Sequence, residues 1–179
     1  GKSLTNLKIV LPTQRNILTV QGENVDGTVN PVHDVVFDRL DLSMTQTSDQ
    51  IKDMVNGVTA EFGMFTPKDM AAVYVNHAEN VVIRNSRIHD TVAGGINIYG
   101  HAQNVQIVGN EIARTGSDGI VLNGDDLRMM KSATDLPDYF SHHNQILSNH
   151  IHHTGLRYAE STGLYLVQTG DNLIANNVI

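Results

Sequence analysis

An isoleucine followed three residues on by Asn or Ser, and two residues further by a second isoleucine, occurs four times in this chain: Ile83-Ser86-Ile88, Ile107-Asn110-Ile112, Ile146-Asn149-Ile151 and Ile174-Asn177-Ile179. A looser copy is Phe37-Leu40-Leu42. Three copies follow a Gly-Ile-x-Ile-like stretch, at Gly95-Ile96-Asn97-Ile98, Gly119-Ile120-Val121-Leu122 and Gly163-Leu164-Tyr165-Leu166. A repeat of about 20 to 30 residues, with short strands and tight polar turns, specifies a coil in which each turn buries its apolar face against its neighbours. The expected fold is all-β, a parallel β-helix of about five rungs.

In such a coil, side chains alternate inward and outward, and equivalent positions on adjacent rungs lie about 4.8 Å apart. Ile96, Ile120 and Leu164 should stack inside. Asn110, Asn149 and Asn177 should sit at left-handed bends and bond neighbouring backbone through their amides, which is a structural role.

The 179 residues contain no linker, so one domain over 1–179 is expected. The last strand pattern runs to Ile179 without a cap, which suggests a fragment of a longer protein with an open edge. A net charge of −7 without a Lys/Arg cluster argues against nucleic acid and anionic membranes, and makes a polyanionic substrate less attractive. No apolar run is long enough to span a bilayer, and the absence of Cys removes disulfides and thiol chemistry.

The repeat is interrupted twice, over 43–70 and 124–141. Thr47 to Val58 carries Ile51, Met54, Val55 and Val58 at helical spacing, as in a short flap. Loops that leave a repetitive scaffold on one flank usually wall a groove. Strand parity places Tyr74, Asn97, Val121 and Tyr165 in one outward column, and Asn76, Tyr99, Asn123 and Val167 in the next. Tyr and Asn on a flat outer face suit sugars, whose ring faces stack on aromatics and whose hydroxyls need amide partners.

Glycoside hydrolysis needs one protonated and one ionised carboxyl group. Asp90, Asp118, Asp125, Asp126 and Glu160 border this face, and Asp90 and Asp118 read as occupants of similar turns on adjacent rungs. The outward pair His150 and His152 lacks a third ligand at fixed spacing, so no metal is assigned. Asp125-Asp126 would suit calcium if the chemistry required it.

The segments NPVHDVVFDRLDLSMT, AAVYVNHAENVVIRNSRIHD, GGINIYGHAQNVQIVGNEIARTGSDGIVLNGDD and NHIHHTGLRYAESTGLYLVQTGDNLIANNVI resemble bacterial right-handed β-helix proteins of the carbohydrate-active type. The nearest named group is glycoside hydrolase family 141, whose activities include fucosidase and xylanase. This resemblance implies a right-handed coil, export from the cytoplasm and action on polysaccharide. Asn123-Gly124-Asp125-Asp126 is similar to a Gly-Gly-Asp loop of these relatives and puts Asp125 first among the candidates. Polygalacturonases also share the fold. Here, however, Asp118 and Asp125-Asp126 lie on one rung, with no Gly-His-Gly or Arg-x-Lys after them.

The resulting expectation is a secreted, periplasmic or cell-surface glycoside hydrolase without a cofactor. Asp118 and Asp125 would be acid and nucleophile or base, with Asp90 in reserve. Tyr74, Asn97, Tyr99, Asn123, Tyr165, Arg114, His152, Tyr158 and Glu160 would bind substrate. One alternative is a lyase or epimerase using Lys131, Arg128 or His152 as base, with calcium as the cation. Another is a glycan-binding adhesin without turnover.

Overall fold

A computed structural model describes residues 12–26, 28–46, 70–124, 140–158 and 161–179. The flap expected over 47–58 and the bulk of both insertions lie outside the described residues. The rest is built from strands, and the same three parallel sheets recur on successive turns of the coil. The first sheet stacks Leu18–Gln21, Ala71–Glu79, Gly94–Gln103, Ile120–Asn123 and Leu164–Val167. The second stacks Val36–Asp38, Val82–Arg84, Gln106–Val108, Gln145–Leu147 and Leu173–Ala175. The third stacks Asp41–Ser43, Arg87–Thr91, Glu111–Thr115 and His150–His152, and is extended by a bridge from His150 to Val178. Strands of one sheet are thus joined through the other two, in the right-handed sense that strand twist favours.

Register follows the sequence repeat. Phe37, Ile83, Ile107, Ile146 and Ile174 align in the second sheet, and Leu42, Ile88, Ile112 and Ile151 align in the third. Val73, Ile96, Ile120 and Leu164 align in the first. Ile83, Ile88, Ile96, Ile107, Ile112, Ile120, Ile146 and Ile151 are no more than 1% exposed. Each contributes about 1.5–3 kcal/mol of burial free energy. The glycines ahead of the first-sheet strands serve this packing. A Cβ on Gly119 would strike the Gly163 carbonyl and lie 2.6 Å from Ile151 Cγ2, and one on Gly95 would lie 2.7 Å from Ile112 Cγ2.

The asparagines form a continuous ladder. Asn110 donates its backbone N–H and its side-chain amide to Asn149 Oδ1, both at 3.0 Å, and Asn149 repeats this with Asn177 Oδ1 at 2.9 Å. Each amide also donates to the carbonyl of an isoleucine on the preceding rung: Ile83 from Asn110, Ile107 from Asn149 and Ile146 from Asn177. One expectation is corrected. The left-handed residue is the one before the ladder position, at Asn85, Gly109, Ser148 and Asn176, with φ between 51° and 65°. The turn residue reverses the chain, which leaves Asn110, Asn149 and Asn177 free to point inward. A second ladder at the corner between the first and second sheets runs from the Val105 N–H to Asn144 Oδ1, and from the Asn144 N–H to Asn172 Oδ1, both at 2.9 Å.

Asn149→Ala removes one acceptor and two donors from a closed interior and strands the Asn110 N–H. A loss of about 2–4 kcal/mol is expected in chemical denaturation. Gly119→Ala should cost at least about 2 kcal/mol by the same measurement, because backbone as well as Ile151 must move.

Candidate functional site

The register places the expected outer columns as parity requires. Tyr74, Asn97, Val121 and Tyr165 align across the first sheet, and so do Asn76, Tyr99, Asn123 and Val167. They do not form an open groove. Tyr74, Tyr99 and Val121 are 7%, 7% and 4% exposed and pack with half-buried Tyr165 into an apolar strip, while Asn97 and Asn123 are 1% and 6% exposed. Tyr74, Val121 and Tyr165 belong to one column and Tyr99 to the next, so the strip bridges the two. The Asn123 amide donates to the Tyr99 hydroxyl at 2.8 Å.

The carboxylates separate. In the third sheet Thr91 aligns with Thr115, so Asp90 has Arg114 as its counterpart; in the first sheet Ile96 aligns with Ile120, so Asp118 has Gly94 as its counterpart. The expected equivalence of Asp90 and Asp118 is therefore overturned. Asp118 Oδ1 accepts the Thr162 N–H at 2.7 Å and the Thr162 hydroxyl at 2.9 Å, clamping the start of the next rung. Asp125 and Glu160 lie outside the described residues. Gly124, which precedes Asp125, ends the strand opposite to the end that Asp118 begins. The intervening Gly119 to Asn123 span about 16 Å when extended.

Asp90 accepts bonds from Arg114 Nε and Nη2, both at 2.7 Å, and its Oδ2 lies 2.6 Å from His89 Nδ1. His89 Nε2 reaches Asp41 at 2.7 Å. The hydrogen bonds from Arg114 and then from His89 hold the Asp90 carboxyl well below the usual carboxylate range. Held in this way, the Asp90 carboxylate is an acceptor of hydrogen bonds and poorly suited to donate or take up a proton. The pair borders a cleft of about 170 Å³ lined by Thr91, Val92, Gly116, Leu156 and Arg157. The segment carrying Leu156 and Arg157 is fastened by backbone bonds from Gly155 to Ser117, Leu156 to Thr115, and Arg157 and Tyr158 to Gly116.

Two other expected substrate contacts lie off the first-sheet face, Tyr158 next to the cleft-lining Arg157 and His152 on the third sheet. Tyr158 packs on Met70 and Ala93. His152 belongs to the third sheet, with its Nε2 3.3 Å from Glu111 and its Nδ1 2.7 Å from His153 Nδ1, away from the first-sheet face. Third-sheet residues point outward from a different side of the coil, which the spacing along the chain does not convey.

Sequence reasoning missed one feature. Between Tyr99 and Ala102 the first sheet slips by one residue against Asn76 and Ala78, so Gly100 and His101 oppose the single residue His77. His101, 6% exposed, sits with its Nε2 2.7 Å from Glu79 Oε1 and its Nδ1 3.4 Å from Gln103 Nε2. The signal was present: the strand of Gly94–Gln103 carries one residue more than its neighbour at the point where the chain of the next rung departs after Gly124.

Asp90→Asn should lower stability by about 0.5–1 kcal/mol at neutral pH, the scale of a partly exposed ion pair. Folding makes this carboxyl more acidic, so its contribution is complete above the ordinary value of 3.8 and fades as pH falls through the folded value. Denaturation midpoints of parent and variant should differ by a constant amount down to about pH 4 and converge below it.

No curated protein matches the chain in sequence. Among solved structures it is similar to the A-module of the mannuronan C-5 epimerase AlgE6 of Azotobacter vinelandii, at 18% identity and a TM-score of 0.49 over 91% of this chain. The chain spans 42% of the length of that structure. Among the described residues, no helix is long and apolar enough to cross a membrane. The family model described as "Right handed beta helix region" matches residues 56–179, and with well over half of its length so matched, in agreement with its parallel sheets, the chain belongs to the right-handed β-helix family.

Proposed function

We propose that this coil is exported and acts on a polysaccharide, as a glycoside hydrolase. The observation that supports the reading best is the cleft at Asp90, Arg114, Leu156 and Arg157 beside the start of the first sheet. A sugar offers hydroxyls that both donate and accept, together with an apolar ring face. A fixed carboxylate–guanidinium pair beside an exposed leucine answers all three requirements. Asp90, paired with Arg114 and His89, would orient a sugar hydroxyl or serve as nucleophile, and the acid is another carboxyl group. Asp118 and Asp125 remain the candidates for that role. Asp118 commits Oδ1 to Thr162, which leaves Oδ2 for substrate.

A second reading, lyase or epimerase, is favoured by the Arg157 guanidinium at the cleft, which would neutralise a uronate carboxylate beside the Asp90–Arg114 pair. Calcium would belong to that chemistry and not to hydrolysis.

The full chain incubated with neutral and acidic polysaccharides separates these readings when new reducing ends and ultraviolet absorbance are followed together. Hydrolysis predicts reducing ends without absorbance, reduced by about 100-fold or more in Asp118→Asn or Asp125→Asn, depending on which is the acid. Absorbance that requires calcium would replace hydrolysis with elimination. Binding with neither signal, and with the uronate composition of the polymer unchanged, would make the protein an adhesin, whereas an altered composition would make it an epimerase.

A further inference from the structure

A histidine followed by an aspartate in left-handed backbone occurs at two corners of this coil, His33-Asp34 and His89-Asp90, with aspartate φ of 60° and 52°. That backbone turns the carboxylate onto the preceding ring, and Nδ1 meets Oδ2 at 2.7 Å in the first pair and 2.6 Å in the second. The contact by itself is a property of local conformation. What each rung stacks on it differs. At His33-Asp34 the side chains are 65% and 68% exposed, and the carboxylate accepts from the Asn80 amide of the next rung. At His89-Asp90 the next rung supplies Arg114, and the His89 side chain is only 14% exposed.

An ionised carboxylate offers about four lone-pair sites and no donor. On Asp90, Arg114 Nε occupies one site of Oδ1, Arg114 Nη2 occupies one of Oδ2, and the His89 Nδ1–H occupies the other of Oδ2. Arg114 Nη2 lies 3.2 Å from His89 Nδ1 because both donors converge on that oxygen. A guanidinium fork alone treats the two oxygens alike. The imidazole breaks their equivalence, and among the described residues it leaves one acceptor site, on Oδ1. His89 does this from behind: the cleft is lined by Asp90 and Arg114 and not by His89, whose Nε2 is held at 2.7 Å by Asp41 Oδ1.

We propose that Asp90 presents Oδ1 to a sugar hydroxyl in the cleft, and that His89 is the positioning residue that reserves this oxygen. The inference rests on the glycan-active reading given above, and it assigns Asp90 the first of its two roles there, the orientation of a hydroxyl. One acceptor of fixed direction selects a hydroxyl at one place on the ring. Affinity then depends on where Oδ1 points as well as on the charge of Asp90, and variants of His89 change the first while keeping the second.

The two ring nitrogens can be separated by amide substitutions. The nitrogen of an Asn side chain stands one bond beyond Cγ, as Nδ1 does, whereas that of Gln stands one bond further, near the place of Nε2. The test uses the full chain on the polysaccharide panel. His89→Asn keeps a donor for Asp90 and should hold KM within about 3-fold of the parent, whereas His89→Gln keeps one only for Asp41 and should raise KM about 10-fold with kcat little changed. A merely structural histidine would lower the stability of both variants and leave the folded proteins with equal KM, which overturns the proposal. A fall in kcat at constant KM also overturns it, since Asp90 would then be the nucleophile. If His89→Gln does not fold, Asp41→Ala, at an exposed carboxylate outside the cleft, should raise KM about 3-fold by freeing the ring, and an unchanged KM there overturns the proposal equally. If the parent binds glycan without turnover, Kd replaces KM in each comparison. A parent that neither binds nor reacts sinks the glycan reading and this inference together, whereas an active parent with equal KM in the two His89 variants sinks the inference alone.

Discussion

Backbone hydrogen bonding between successive rungs is the constraint on which the rest of this molecule depends. Parallel strands about 4.8 Å apart place each residue on its counterpart one turn away, so a position must suit its own copies. Isoleucine does so by burying against isoleucine. Asparagine does so differently. Its amide donates to the carbonyl of the next copy and to a main-chain carbonyl of the preceding rung, so that Ser86, Asn110, Asn149 and Asn177 form one directional chain. In a low-dielectric interior such a chain is stabilising only while every member is present.

That constraint explains what could be read from the sequence. The columns of isoleucine and the glycines before them are visible because packing repeats with the coil, and the parity of the first-sheet strands followed from them correctly. The second ladder escaped notice because Val81 and Val105 precede Asn144 and Asn172 in the same series, so its polar members begin only partway along the coil. The equivalence of Asp90 with Asp118 failed for a related reason. Turns after the third sheet are aligned by Thr91 with Thr115, and counting from that pair sets Asp118 against Gly94. Burial of the outer columns was not legible either, since parity gives the direction of a side chain and not what lies over it.

Electrostatics sorted the candidate residues in a way that composition could not. Asp90 and Arg114 are αL corner residues on adjacent rungs, with φ of 52° and 50°. Stacking alone brings opposite charges into a two-bond pair, and the same stacking brings His89 onto Asp90 and Asp41. A carboxylate held this way has a fixed charge and a fixed direction, useful for orienting a sugar and unsuitable as a proton donor. His101 and Glu79 differ in that their contact depends on a departure from the repeat rather than on the repeat itself.

The corner that carries this departure can vary because of where the chain re-enters. The re-entry column, Val32, Ala78, Ala102, Ser141 and Thr169, is made of small or β-branched residues, and Ala78, Ala102 and Ser141 are fully buried. Its upper members supply their own closure, with Ser141 Oγ donating to the Ala102 carbonyl at 3.1 Å and Thr169 Oγ1 to the Ser141 carbonyl at 2.6 Å. Once a turn has re-entered there, the second and third sheets resume in register, whether the corner took one residue at His77, two at Gly100 and His101, or the stretch from Gly124 to Phe140. Each rung is coupled only to its neighbours, so an irregularity here remains local in its energetic cost. A coil built to repeat can therefore place non-repeating, ionisable side chains at this corner while its core stays unchanged.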